Sequence, residues 1–151
     1  GELRDSLERQ AAELGLSRHI IFRGLVDPKE IPRQIAAMDI LTHTSLREGL
    51  ARTLPQALLA GIPVVSYDID GAREVCIDGE TGYLVTAGDT QTLARQLMDL
   101  SRAPELRKKF GMRGQSLCRE RFSHHVMTDK IRGIYQKLLT DQDVSQLPSE
   151  N

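Results

Sequence analysis

At 151 residues, 40% of them hydrophobic, the chain is long enough for one domain with a real core and without metal or disulfide staples. Twenty basic against 21 acidic residues give a net charge of −1, and aromatics are 4% with no tryptophan, which argues against a nucleic-acid footprint, a polybasic membrane segment or a base-stacking platform. Cys76 and Cys118 form no CxxC pair and read as reduced, part-buried thiols of a cytoplasmic protein; no run approaches the ~20 apolar residues of a membrane span, and no signal peptide is expected.

The pattern is helical from the start, with Leu3, Leu7, Ala11 and Leu14 on one face and Gly15 as the stop. Because it begins at Gly1, already in helical register by Leu3, the chain is expected to be a piece of something longer. "HIIFRG" predicts a short strand ending at Gly24. "DPKEIPRQIAAM" predicts a helix with Ile31, Ile35 and Met38 inward, provided Pro32 lies in its first turn. "DILTH" predicts a second strand, "TSLREGLAR" a loop, "TLPQALLAG" a short helix closed by Gly61, and "PVVSY" a third strand opened by Pro63. "DIDGAREVCIDGETG" predicts a short helix between two glycine turns, and "YLV" a fourth strand.

Asp89 is placed to cap a helix with Leu93, Leu97 and Leu100 on one face. Pro104 opens another, with Leu106 and Phe110 inward and helical character towards Leu117. Ser123 caps a last helix carrying Met127, Ile131, Ile134 and Leu138. From Thr140 the sequence turns polar, so residues 140–151 are expected to form a disordered tail behind a domain spanning 1–139. Strands alternating with helices, and continuous apolar strands such as Val64–Val65, predict an α/β fold: a Rossmann-like parallel sheet sandwiched by helices. Ligands bind such sheets beyond the carboxyl ends of the strands. The loops after "DILTH", "PVVSY" and "IIFRG" should therefore meet on one edge.

The stretch "REGLARTLPQ" supports two readings. In the first, the helix start near Thr53 takes a phosphate, Gly49 lets the backbone approach it, and Arg52 adds a charge-assisted hydrogen bond. Glu48 must then face hydroxyls, which implies a nucleotide or sugar nucleotide. In the second, "TLPQ" is a capping box in which Thr53 caps the helix and Gln56 reaches back to it, while Glu48 is a solvated loop acid. His43, at a strand end, either meets substrate or is a satisfied loop histidine. His124 and His125 lack a third metal ligand at suitable spacing. Asp68, Asp70 and Glu74 around Gly71 fit turn and cap roles better than a metal site. No GxSxG nucleophile motif and no GKS-type phosphate loop is present.

The ordered segments "FRG", "DILTHTS", "EGL", "QALLAGIPVV", "DGAREV", "DGETGYLV", "GD" and "RERFS…IYQKLL" resemble the C-terminal domain of group 1 (family 4) glycosyltransferases over nearly the whole chain. The resemblance implies a two-domain GT-B architecture, with this chain its N-terminally truncated C-terminal half. It implies a nucleotide-sugar donor as substrate, transfer with retention, and no cofactor or essential metal. The family motif, Glu, seven residues, Glu, falls on Glu48 and Gln56. Glu48 is implied as the catalytic acid residue facing donor-sugar hydroxyls, and Gly49, Leu50, Ala51 and Arg52 as neighbours of the sugar and diphosphate. Gln56 falls at the ribose; Arg23, Gly24, Leu25 and Ser45 fall near the nucleobase. Gln56 departs from the motif: a carboxamide has one acceptor oxygen and no charge to offer a diol. The implied partners are the donor and a sugar or lipid-linked glycan acceptor, bound through an N-terminal domain, with no nucleic acid. The implied location is cytoplasmic, at the inner face of the membrane through peripheral contact of the parent protein. Two alternatives remain: a catalytically silent nucleotide-binding or structural module keeping the fold, and a generic Rossmann or flavodoxin-like module, against which the missing GxGxxG speaks.

Overall fold

The computed structural model describes residues 2–141. They fall into two compact units divided after Gln34. The first unit holds α1 (Arg4–Glu13), an irregular stretch without strands, a 3₁₀ turn (Pro28–Glu30) and the start of α2 (Ile31–Ala36). Gly15 closes α1 at φ +69, the left-handed geometry that glycine adopts without steric cost. Of the predicted inward face of α1, Ala11 is buried, while Leu3, Leu7 and Leu14 are exposed. Asp27 caps the 3₁₀ turn, its Oδ1 accepting the Lys29 N–H at 2.8 Å. Pro32 sits in the first turn of α2, where its missing N–H costs nothing. Ile35 is buried, but Met38 is 37% exposed and does not join it.

The predicted strand in "HIIFRG" does not form: His19 lies in a turn, and Ile20, Ile21 and Phe22 belong to no strand or bridge. A strand exists only by pairing, and among the described residues nothing in this unit pairs with them. Only the turn at its end is as expected, with Gly24 at φ +64.

The second unit is built on a parallel sheet of β1 (Leu41–His43), β2 (Val64–Tyr67) and β3 (Gly82–Val85), in that order. Leu41 registers with Val64, and Val64 with Gly82. All four residues of β2 are buried, as expected of a central parallel strand covered on both faces. On one face Val65, Tyr67 and Val85 pack with Leu93, Leu97 and Leu100 of α4 (Thr90–Arg102) and with Leu106 and Phe110 of α5 (Pro104–Arg121). Tyr83 meets Phe110 edge to face at 5.4 Å. α3 (Thr53–Leu59) packs on β1 and β2, with Leu54, Ala57 and Leu58 fully buried.

The parallel crossovers place α3 between β1 and β2, and the 3₁₀ segment Asp70–Glu74 between β2 and β3. Thr81 fixes the second crossover: its Oγ1 donates to the Val75 carbonyl at 2.9 Å and accepts the Ile77 N–H at 2.8 Å. Asp89 caps α4, its Oδ1 accepting the Thr92 N–H at 2.9 Å. That bond to the backbone is the leading cause that holds its carboxyl below the usual carboxylate range. Pro104 occupies the first turn of α5, and Ser123 caps α6 (His124–Asp141) by accepting the Val126 N–H at 3.3 Å. The stripe Met127, Ile131, Ile134 and Leu138 lies on α6 as predicted, but all four residues are exposed. Thr140 and Asp141 continue this helix rather than opening a tail; the rest of the expected tail lies outside the described residues.

Candidate functional site

Two loops leave the carboxyl ends of neighbouring strands: residues 44–52 after β1, and residues 68–74 after β2. They are tied together. The Glu48 N–H donates to Asp70 Oδ2 at 3.0 Å, and the Gly71 N–H donates to the Gly49 carbonyl at 3.1 Å. The approach is tight at Gly71, where a Cβ would lie 3.0 Å from the Gly49 oxygen and 3.2 Å from the Leu50 Cα, so that the facing loop would have to give way slightly. Asp70 takes φ +38, alone among the described non-glycine residues in the left-handed region. Aspartate tolerates that region better than most residues, at a cost in strain. Asp68, beside it, is held by Arg73 through Nη2 to Oδ2 at 2.6 Å and through a second contact from Nε. The Arg73 hydrogen bond keeps the Asp68 carboxyl below the usual range.

Glu48 is anchored at a second point. His43, the last residue of β1, brings Nε2 to 3.0 Å from Glu48 Oε2. Its other ring nitrogen, Nδ1, is buried and has no partner among the described residues. A proton there would be a buried unsatisfied donor, a penalty of about 1–3 kcal/mol. A bare acceptor lone pair is better tolerated. The arrangement therefore favours a proton on Nε2, donating to Glu48. The remaining carboxylate oxygen of Glu48 makes no hydrogen bond among the described residues, and the side chain is 45% exposed. Next to it Gly49 is open, since a Cβ there would meet nothing within 4 Å.

Past Gly49 the chain turns inward. Leu50 is half-buried, Ala51 is buried, and Arg52 is exposed at the entrance of α3. The capping box does not form. Arg52 already has helical dihedrals (φ −58, ψ −26), and its carbonyl accepts the Gln56 N–H at 3.2 Å. Thr53 is thus inside the helix and cannot cap it. Gln56 is exposed, and its side chain makes no hydrogen bond among the described residues. α3 has only seven residues, so its aligned dipole is small. Ser45 is half-buried in the loop between His43 and Glu48. Arg23, Gly24 and Leu25 belong to the first unit and are all exposed there.

The other sequence candidates fall away. Cys76 and Cys118 are free and buried. Burial, reinforced by Asp78 and Asp68, pushes the Cys76 thiol up to about 12, and burial pushes Cys118 to about 11, so neither supplies a thiolate near neutrality. His124 and His125 stack on each other with ring centroids 3.8 Å apart. Among the described residues no cluster of three or more His, Cys, Asp or Glu side chains is disposed to hold a metal ion.

The sequence left two members of the site undecided: His43 stood between a substrate contact and a satisfied loop histidine, and Asp70 was read as a turn or cap residue. His43 carried a signal, as the last residue of a strand at its ligand-facing end, five positions before an acid. Asp70 carried none, because its partner lies 22 residues away and only the sheet brings them together.

A family model for glycosyl transferases group 1 matches residues 1–117. The phosphatidyl-myo-inositol mannosyltransferase of Mycobacterium leprae is 34% identical over 96% of the chain, which spans 38% of that protein. The solved structure of HepE from Anabaena in complex with UDP superposes on 88% of the chain with a TM-score of 0.83 and 28% identity, covering 36% of HepE. The solved C-terminal domain of the group 1 glycosyl transferase LpcC from Francisella tularensis matches 82% of the chain with a TM-score of 0.75 and 29% identity, covering 64% of that domain. The chain spans less than two fifths of the length of the curated relatives it matches. The sheet, its crossovers and the loops at its carboxyl edge are those of the GT-B glycosyltransferase fold, and the chain belongs to the group 1 glycosyltransferase family.

Proposed function

We propose that this chain is the donor-binding domain of a retaining glycosyltransferase, residues 1–139, taking a nucleotide sugar. The observation that carries the reading is the loop pair at the strand ends. Glu48 is tethered through its amide and one carboxylate oxygen, its second oxygen has no partner among the described residues, and open Gly49 lies beside it. That is chemistry for a ligand bearing hydroxyls next to a phosphate. Glu48 takes donor-sugar hydroxyls. The backbone of Gly49, Leu50 and Ala51, with the Arg52 guanidinium, takes the diphosphate. Gln56 takes the ribose, and Ser45 lines the nucleobase.

Transfer breaks the bond between the anomeric carbon and a diphosphate oxygen and makes one to an acceptor oxygen on the same face. The leaving diphosphate gains negative charge, which Arg52 and the loop amides accept more strongly as it develops. The complex of HepE with UDP supports a nucleotide donor, and the mannosyltransferase of M. leprae supports a lipid-linked acceptor. An acceptor of that kind accords with a cytoplasmic protein working at the inner membrane face. No helix among the described residues is long and apolar enough to cross a membrane.

The test is Glu48→Gln in the full protein. A hydrogen bond to a charged group contributes about 1.5–3 kcal/mol, so turnover should fall by roughly an order of magnitude or more. The melting temperature should hold, because an exposed tether contributes little to stability. Wild-type steady-state rates in the variant would overturn the reading. The rival reading, a silent module, draws on Gln56, and it predicts no transfer from any nucleotide sugar in a panel.

A further inference from the structure

We propose that His43 is a positioning residue for Glu48, holding one carboxylate oxygen so that the other is aimed at the donor sugar; this rests on the donor-binding role of Glu48 stated above. Three observations lead there. The first is the contact itself, Nε2 to Oε2 at 3.0 Å. The second is the ring's other nitrogen, buried with no partner among the described residues. A histidine kept for packing has both nitrogens satisfied or wet. Here the only hydrogen bond the ring makes among the described residues goes to Glu48, and the bare Nδ1 fixes which nitrogen carries the proton.

The third is how the two residues are mounted. His43 lies in register with Ser66 on the central strand, and its side chain is 17% exposed. Glu48 stands on a loop with its side chain 45% exposed. A mostly buried group therefore grips an exposed one. Asp70 holds the Glu48 amide from the neighbouring loop. Carboxylate and backbone are thus held from a strand and from the neighbouring loop, and among the described residues Oε1 has no partner. A glutamate side chain loses considerable rotamer freedom when it binds. His43 removes that freedom in advance, so the hydroxyls of the sugar meet an acceptor already oriented.

The pairing gives a specific expectation. His43 should matter for the sugar and not for the nucleotide. In the full protein, calorimetric titrations with UDP and UDP-glucose, and with GDP and GDP-mannose, give the ratio of nucleotide-sugar to nucleoside-diphosphate affinity. His43→Leu keeps the bulk and loses the donor; it should cut that ratio roughly three- to tenfold while leaving diphosphate affinity within about twofold. His43→Gln, whose amide can stand in for Nε2–H, should restore most of the ratio. Melting temperatures of both variants should stay close to wild type.

An unchanged ratio in His43→Leu would overturn the proposal. So would an equal loss for diphosphate and nucleotide sugar, which marks a loop support only, or a His43→Gln variant no better than His43→Leu. If the wild type itself does not distinguish a nucleotide sugar from its diphosphate with either pair, the donor-sugar role of Glu48 falls, and the proposal with it. Should His43→Leu fail to fold, nitrogen-15 shifts of the wild-type ring carry the test. Nε2 should be protonated, Nδ1 bare, and the Nε2 signal should move in Glu48→Gln; a proton on Nδ1 would overturn the assignment.

Discussion

Gln56 was legible as an anomaly, and the structure changes what it means. A capping box would have consumed its side chain at the helix start. Instead Arg52 carries the helical dihedrals that open α3, and the Gln56 side chain stands exposed and without a hydrogen bond among the described residues. Gln56→Ala should therefore leave the melting temperature within about a degree, since exposed sites away from caps move stability by about ±0.5 kcal/mol. With the ribose role proposed above, the same substitution lowers nucleoside-diphosphate affinity, and Gln56→Glu raises it by adding a charge-assisted bond. Calorimetry beside thermal melts checks both; a lower melting temperature with unchanged affinity would return Gln56 to the capping role. Glu48 and Gly49 could be picked out because an acid beside a glycine at a strand end is a local pattern. The grip on Glu48 could not, since the Asp70 contact spans 22 residues and exists only because β1 and β2 are parallel neighbours.

Elements were legible where a local rule governs them. Asp89, Pro104 and Ser123 each sit at a helix start where a side chain accepts a free N–H or a missing N–H costs nothing. Val64–Tyr67 reads as a central strand because both its faces are apolar enough to bury. "HIIFRG" also holds β-branched and aromatic residues but has no strand partner among the described residues of its unit, and composition cannot say whether a partner exists. The packing of α5 on α3 was equally silent in the sequence, and it sets a sharp test. A Cβ at Gly111 would sit 1.9 Å from the Gly61 carbonyl oxygen, a backbone atom that cannot swing aside. Gly111→Ala must push the helix off the turn after α3, a cost of about 1–3 kcal/mol or more for overpacking. Gly133, within α6, would meet nothing within 4 Å. There alanine should stabilise by about 0.5–1 kcal/mol through the lower entropy of the unfolded chain. Urea melts of the two variants should move in opposite directions; equal shifts would show that α5 and the Gly61 turn are not in the contact described.

At the scale of the whole molecule, the chain matches relatives of which it spans less than two fifths. Met127, Ile131, Ile134 and Leu138 expose about half or more of their surface, at 57%, 46%, 59% and 58%. β1 and β3 are the outer strands of the described sheet. An apolar stripe and open strand edges favour association with other chains. Glycosyl transfer also needs an acceptor hydroxyl held near the anomeric carbon and water kept away from it, and positioning of that kind contributes several orders of magnitude in rate. In the function proposed above, the two loops after β1 and β2 hold the acid that faces the donor and supply one wall of such a site. Residues 1–151 alone are therefore expected to release no nucleotide from a panel of nucleotide sugars, to bind a nucleoside diphosphate weakly, and to self-associate at micromolar concentration. Light scattering against concentration checks the last point, and Ile131→Glu with Ile134→Glu should restore the monomer by placing charge on the stripe. A wild-type chain that stays monomeric would remove the stripe from the argument, and specific turnover by the isolated chain would show that these loops suffice for the chemistry.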